Sequence, residues 1–260
     1  MLGRPVAHSL SPVLHGAAYR ALGLSWTFTA LDVGTDELAQ FLASCGPEWV
    51  GFACTMPLKR EALDLASAVS PRAMAVGAAN TLLRRPDGSW SADNTDVAGI
   101  VAALGEHGVR PATATVLGAG GTAQAAVVAL AELGLTRCTV QVRDVKRTVD
   151  VRAAAQRAGI DVDVGVLGDP PGELVISTLP PGAADPLAGR EWGAESALLD
   201  VVYAPWPTPL AAAVAAAGGT VIAGTLMLLH QAALQVQLMT GRPAPVEAMR
   251  TALREKAPDG

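Results

Sequence analysis

Strand-like and helix-like segments alternate along nearly the whole chain, and that order restricts it to few architectures. Repeated strand–helix–strand units bury their apolar faces by forming a parallel sheet with helices packed on it, so the expected class is α/β, in two α/β units. In the first unit, Ser11-Pro12 is expected to cap a helix that buries Val13, Leu14, Ala18 and Leu22 and stops at Gly23. Trp26 to Leu31 then alternates as a strand, Asp36 and Glu37 open a second helix, Trp49 to Cys54 is a short apolar strand, and Pro57 starts another helix. Pro86-Asp87-Gly88 turns a hairpin between Leu82-Leu83 and Trp90. A mainly parallel sheet is expected here.

Gly108-Val109-Arg110-Pro111 marks the passage into a second unit, because a fresh strand, Ala114 to Leu117, begins at once and runs into a glycine-rich turn. Strand–helix units continue to about Ile222. Two closing helices, Gly224 to Thr240 and Pro245 to Arg254, have no strand after them and are free to pack back on the first unit. The expected division is residues 1–97 with 224–260, and residues 98–223. Half of its 260 residues are apolar, enough to bury a sizeable core in each.

The turn after Ala114 to Leu117 reads Gly118-Ala119-Gly120-Gly121-Thr122-Ala123, a G-x-G-x-x-A pattern between a strand and a helix. Gly118 suits the tight turn, Gly120 lets the backbone approach a pyrophosphate, Ala123 allows close helix–strand packing, and the helix N-terminus faces the phosphates. A turn that binds nothing has the same glycines, but here both flanking elements conform to a Rossmann-like dinucleotide site. The next strand ends in Arg143-Asp144-Val145-Lys146-Arg147, where a lone carboxylate would suit the ribose diol of NAD. Arg143 and Arg147 suit the 2′-phosphate of NADP, which a guanidinium grips through two parallel hydrogen bonds. A solvated basic face at a helix start is the plainer alternative.

Charge and cysteine content remove other classes. The net charge of −5 and the absence of basic runs argue against nucleic acid as a partner. Cys45, Cys54 and Cys138 are far apart and lack C-x-x-C spacing, so neither a disulfide framework nor a zinc site is expected; the four histidines lack ligand spacing, and no metal is expected. Pro5, His8 and Ser9 interrupt any secretory core, and the apolar stretch from Gly224 to Met239 carries His230, Gln231, Gln235 and Gln237, too polar to span a bilayer. A cytoplasmic protein without a membrane partner is expected, and a homodimer is left open.

Four polar clusters sit beside turns and strand ends: His8-Ser9-Leu10-Ser11, Thr55-Met56-Pro57-Leu58-Lys59, Asn80-Thr81 and Asn94-Thr95-Asp96. Each has an ordinary role when taken alone, Ser11 and Asp96 as helix N-caps, Asn80 as a turn residue and Lys59 as a surface lysine. Thr55, Lys59 and the Asn94 cluster all follow strands, however, where ligands of open parallel sheets bind. Together they supply hydroxyls and amides for a polyhydroxylated acid, a lysine for proton transfer and a carboxylate to pair with it.

With these motifs in place, the sequence resembles the shikimate dehydrogenase family over almost its whole length. Gly3-x-Pro5-Val6-x-His8-Ser9-x-Ser11-Pro12-x-x-His15 is similar to its opening motif, Thr55-x-Pro57-x-Lys59 to the motif of its catalytic lysine, and Gly77-Ala78-x-Asn80-Thr81 and Asn94-Thr95-Asp96-x-x-Gly99 to its next two. The resemblance implies NADPH-dependent reduction of 3-dehydroshikimate to shikimate. It implies that Ser9 and Ser11 hold the substrate carboxylate, that Thr55 and Asn80 contact substrate, and that Lys59 and Asp96 are the catalytic pair. Gly118 to Thr122 resembles the family's phosphate loop, and Arg143 and Arg147 fall where its NADP-binding arginines lie. Asp200-Val201-Val202-Tyr203-x-Pro205-x-x-Thr208-Pro209-Leu210 is similar to the segment that closes over both ligands, with Val201 on the cofactor and Tyr203 on the substrate. In Gly224-x-x-Met227-Leu228-x-x-Gln231 the resemblance places Gly224 near the nicotinamide and Gln231 on the substrate, and a glutamine in so apolar a helix must in any case find a partner.

Three positions depart from the family pattern. Ala53-Cys54 stands where a polar residue and valine, commonly asparagine-valine, precede Thr55, which keeps open a relative acting on quinate or an aminoshikimate, with NAD as cofactor. Val142 replaces the asparagine that commonly precedes the first arginine. The chain opens at Leu2-Gly3 with little of the strand that normally comes first, so a shortened strand or an upstream start is expected. A non-catalytic nucleotide sensor on this fold would be expected to lack Lys59 or Asp96, and both are present.

Overall fold

In a computed structural model of the chain, which describes residues 1–257, the first unit carries β1 (Leu2–Gly3), α1 (Ser11–Ala21), β2 (Leu31–Asp32), α2 (Thr35–Ser44), β3 (Gly51–Ala53), α3 (Lys59–Asp64), β4 (Ala68–Val69), α4 (Pro71–Val76), β5 (Thr81–Arg84) and β6 (Trp90–Asp93). Helix α5 (Asp96–Glu106) leads to β7 (Ala114–Leu117), α6 (Gly121–Glu132), β8 (Arg137–Val142), α7 (Val149–Ala158), β9 (Asp161–Val166), β10 (Leu174–Ser177), β11 (Ala197–Asp200), α8 (Pro209–Ala216) and β12 (Thr220–Ala223). The chain then runs through α9 (Gly224–Thr240) and α10 (Val246–Lys256). Residues 258–260, assigned above to the first unit, lie outside the described residues.

Strands β7 to β12 form one all-parallel sheet in the order β12-β11-β10-β7-β8-β9. The direction of winding reverses between β7 and β10, and it is beyond the carboxyl ends of strands at such a reversal that these sheets bind ligands. Gly118 follows β7 there with φ +109°, and a Cβ on it would lie 2.6 Å from Thr178 Oγ1 just after β10. The turn is thus closed to other residues on both counts.

The strands of the first unit form a two-stranded sheet, β1-β2, and a mixed four-stranded one in the order β3-β5-β6-β4. β1–β2 and β4–β6 pair in parallel and Leu2 bridges Cys54 in parallel, whereas β3–β5 and β5–β6 are antiparallel. The mainly parallel sheet expected there therefore holds an antiparallel hairpin, because the tight turn at 86–88 returns the chain directly alongside itself. Of the strand expected over Trp26 to Leu31 only Leu31 belongs to a strand, as the first residue of β2, whose partner β1 offers two residues. The aromatic residues before it pack on α1 instead: Phe28 stacks on His15 with ring centroids 3.9 Å apart, and Trp26 meets Tyr19 edge-on.

Two helix starts also differ from expectation. α3 begins at Lys59, not Pro57, because Thr55 to Leu58 form a turn closed by the Leu58 N–H on the Thr55 carbonyl at 2.8 Å. Ser11 is the first residue of α1, and its own N–H donates to Ser9 Oγ at 3.2 Å, so Ser9 supplies the side-chain acceptor at that end.

The closing helices pack back on the first unit: Leu14 and Ala18 of α1 share one apolar cluster with Leu229 and Val236 of α9 and Met249 and Leu253 of α10. Each leucine fully buried in this way contributes about 1.5–3 kcal/mol. Helix α5 buries Val97, Ile100 and Leu104 in the core shared with β7, β8 and α6. Where α5 crosses α9, a Cβ on Gly99 would come within 2.8 Å of the Met227 carbonyl. Only glycine allows that approach, which brings Asp96 and Gln231 together.

Candidate active site

A cavity of about 220 Å³ opens where the first unit, α9 and the glycine loop meet. From the first unit it is lined by Ser9, Ser11, Thr55, Lys59, Asn80 and Asp96. Thr122, at the start of α6, and Val201 and Tyr203, beyond β11, face them, and α9 closes one side with Gly224 and Gln231. All eleven of these residues were singled out in the sequence, on segments far apart in the chain.

Lys59 opens α3 and Asp96 opens α5, and the two meet with Nζ donating to Oδ2 at 2.5 Å. Their side chains are 18% and 8% exposed, so the pair is largely shielded from water yet reaches the cavity. Asp96 is not the N-cap of α5. Its N–H is taken by Asn94 Oδ1 at 3.1 Å, and its second carboxylate oxygen accepts from Asn80 Nδ2 at 2.8 Å. Such an arrangement holds an ammonium beside a ligand and can move a proton at Nζ.

Asn80 is 3% exposed and its carboxamide oxygen is held by the protein: Oδ1 accepts from the Thr95 N–H and the Thr81 hydroxyl, each at 2.8 Å. Its amide group faces Asp96 and, at 3.3 Å, Gln231 Oε1. Gln231 Nε2 donates to the Leu228 carbonyl at 3.0 Å. Neither amide is a surface turn residue.

The segment 201–208 is held by Asp200, a buried carboxylate at the end of β11 that accepts from the Val202 N–H at 3.2 Å and the Thr208 hydroxyl at 2.8 Å. Burial pushes the Asp200 carboxyl above its ordinary range, and burial also raises the Tyr203 phenol, which therefore meets the cavity as a neutral hydroxyl. A Cβ on Gly224 would lie 2.4 Å from the Val201 carbonyl, so α9 starts directly against this segment.

On the other side of the seam, Gly118 and Ala119 form the turn after β7, Gly120 precedes α6 in extended conformation, and a Cβ at Gly120 would meet nothing within 4 Å. Gly121 lies against the Lys59 stem, its Cβ position 3.4 Å from Lys59 Cδ. The helix N-terminus with open space before it suits a pyrophosphate. Arg143 and Arg147 are exposed after β8, away from the cavity, and neither is paired with an acidic group among the described residues. Asp144 Oδ1 accepts from the Lys146 N–H at 3.0 Å and caps a short 3₁₀ turn, and Arg143, Lys146 and Arg147 are all exposed beside it. These residues fit a dinucleotide carrying a 2′-phosphate.

The family model for the shikimate dehydrogenase substrate binding domain matches residues 1–82, and that for the shikimate 5′-dehydrogenase C-terminal domain matches residues 224–254. The shikimate dehydrogenase (NADP(+)) of Halobacterium salinarum is 41% identical over 276 aligned positions, which cover 98% of this chain and 98% of that protein. Among solved structures, Mycobacterium tuberculosis shikimate dehydrogenase has a TM-score of 0.88 at 49% identity, over 98% of this chain and 97% of that one. The chain belongs to the shikimate dehydrogenase family. The Thermus thermophilus member, solved in complex with NADP(H) and shikimate, gives a TM-score of 0.84 at 34% identity, over 98% and 97% of the two chains.

Within this family fold, the departure at Ala53-Cys54 lies in the cavity wall. Cys54 is buried, and burial pushes its thiol up to about 12, so that wall offers a small apolar surface and a neutral S–H. Gln235, also in the wall, was overlooked in the sequence. The signal was present: Gln231 and Gln235 are four apart on one helix and share a face, while Gln237 points to solvent. No helix among the described residues is long and apolar enough to cross a membrane.

Proposed function

We infer that this protein is an NADP-dependent shikimate dehydrogenase, catalysing the reversible reduction of 3-dehydroshikimate to shikimate. The observation that carries it is the Lys59–Asp96 pair of the substrate side lying against Gly121 of the phosphate loop, so that acid–base group and dinucleotide site share one cavity. When bound, NADPH supplies the hydride. Lys59 Nζ gives a proton to the ring carbonyl oxygen as that oxygen gains charge, and takes it back in the reverse direction. Asp96 holds the ammonium in place. Ser9 and Ser11 donate to the substrate carboxylate, while Thr55, Asn80, Tyr203 and Gln231 orient the ring through hydroxyls and amides.

On the cofactor side, Gly118, Ala119, Gly120, Gly121 and Thr122 would present the helix N-terminus to the pyrophosphate, and Arg143 and Arg147 would grip the 2′-phosphate. Val201 and Gly224 would pack on the nicotinamide. The proposed division is residues 1–97 with 224–260 for substrate and 98–223 for cofactor, and closure between the two parts would exclude water. Three free, buried cysteines are in keeping with a cytoplasmic location, and a homodimer is the assembly proposed, to be read by sedimentation.

Steady-state turnover of the purified protein with shikimate and NADP, measured beside quinate and NAD, tests the assignment. Shikimate with NADP should have the highest kcat/KM of the four combinations. A higher value for quinate, or for NAD with either substrate, would replace it with the other dehydrogenase activity.

A further inference from the structure

His15, on α1, is completely buried and does not line the cavity, yet it ends a chain of hydrogen bonds that runs to Asp96. Gln235 Nε2 donates to the Asn80 carbonyl at 3.2 Å and to Thr81 Oγ1 at 2.9 Å. That carbonyl is an acceptor only and is already held by the Cys54 N–H at 2.7 Å, so the Gln235 amide cannot turn over without setting two oxygens against each other. Gln235 Oε1 must then face His15 Nε2, 3.2 Å away, and His15 must carry its proton on that nitrogen. Its other nitrogen, 3.3 Å from the Tyr19 hydroxyl, is left as an acceptor. Burial holds the imidazole neutral, lowering its pKa to about 3, and Phe28 stacked on the ring fixes its plane.

The same polarity runs onward. Because Thr81 Oγ1 accepts from Gln235, its single proton is free for Asn80 Oδ1 at 2.8 Å, and with the Thr95 N–H on the same oxygen the Asn80 amide group is turned toward Asp96 and the cavity. We propose that His15 is a positioning residue for shikimate: as an Nε2–H donor it holds Gln235 in the orientation that the Asn80 carbonyl requires, and through Thr81 it reinforces the orientation in which the Asn80 amide group meets the substrate and Asp96. The proposal rests on the shikimate dehydrogenase assignment only for the identity of the ligand. A purely packing histidine would have no effect that distinguishes substrate from cofactor.

Two measurements test it. Long-range ¹H–¹⁵N spectra of the wild-type protein, with His15 identified by its loss in His15→Gln, should show a neutral Nε2–H tautomer; an Nδ1–H tautomer or an imidazolium would overturn the proposal without any variant having to be active. In kinetics, His15→Phe keeps the stack on Phe28 but removes the donor. It should raise KM for shikimate about three- to ten-fold, the worth of one buried hydrogen bond, with KM for NADP unchanged. Gln235→Met should give the same shift, the double variant no more than either, and His15→Gln, which keeps an N–H donor, should recover part of the loss. An unchanged KM for shikimate, an equal rise for both ligands, or additive effects of the two sites would sink it. Absence of wild-type turnover with shikimate would instead count against the function assigned above, while the tautomer still decides the network.

Discussion

The two sides of the cavity are built in opposite ways. On the substrate side the polar residues are buried and bonded to one another: Asn80, Thr95, Asp96 and Gln235 have 6% exposure or less and share acceptors and donors across β5, α5 and α9. On the cofactor side Arg143 and Arg147 lie open to solvent at a strand end, and the glycine loop makes its contacts through backbone. A buried network is positioned before the ligand arrives and is costly to disturb, whereas exposed arginines gain their interactions only when a ligand is present. Substitutions on the first side should therefore change both stability and catalysis, and those on the second only cofactor affinity.

The largest effect is expected at Lys59, which lies on the seam. A positioned acid–base group contributes about 10²–10⁴-fold to rate, so Lys59→Ala should lower kcat by that much while changing KM for shikimate far less. Asp96→Asn should also lower kcat, and the double variant should lose less than the product of the two losses, as residues acting as a unit do. Normal turnover by folded Lys59→Ala protein would return Lys59 to the ordinary role of a helix lysine.

Next in size is the carboxylate end of the substrate. Ser9→Ala and Ser11→Ala should each cost about 1.5–3 kcal/mol in binding, read as a rise in KM for shikimate with kcat nearly constant. A shikimate analogue without the carboxylate should bind weakly to wild type and be indifferent to both changes; equal sensitivity of the two ligands would move the serines back to the helix start alone.

Arg143→Ala comes third, raising KM for NADP roughly ten-fold through loss of a charged hydrogen bond and leaving KM for NAD alone. Equal use of both cofactors by the wild type would break the assignment of that strand end. The smallest effects are in stability and sharpen the contrast most directly. Asn80→Ala strands several buried donors and should lower unfolding free energy by about 1–3 kcal/mol, whereas Arg143→Ala should stay within about 0.5 kcal/mol, both read by urea denaturation. Similar losses at the two positions would show that the sides do not differ as described.

Local sequence determined much of this protein. The strand, glycine turn and helix at 114–132, the hairpin at 81–93 and the bounds of α9 follow from residues adjacent in the chain, because turn chemistry and apolar period act over a few residues. The chemical kinds of residue at the site were legible for the same reason, each cluster lying beside a turn. Tertiary structure decided the rest. Trp26 to Phe28 alternate as a strand should, but with β1 offering only two residues their rings settled on α1. Ser11 and Asp96 have the composition of helix caps, yet Asp96 spends its carboxylate on Lys59 and Asn80, partners 37 and 16 residues away. Gln235 and His15 meet across 220 residues, and no local pattern could announce that pair. A backbone preference is set by near neighbours, but a buried polar group takes whatever partner the fold carries to it, and only the packing of α1, α5 and α9 determines which one that is.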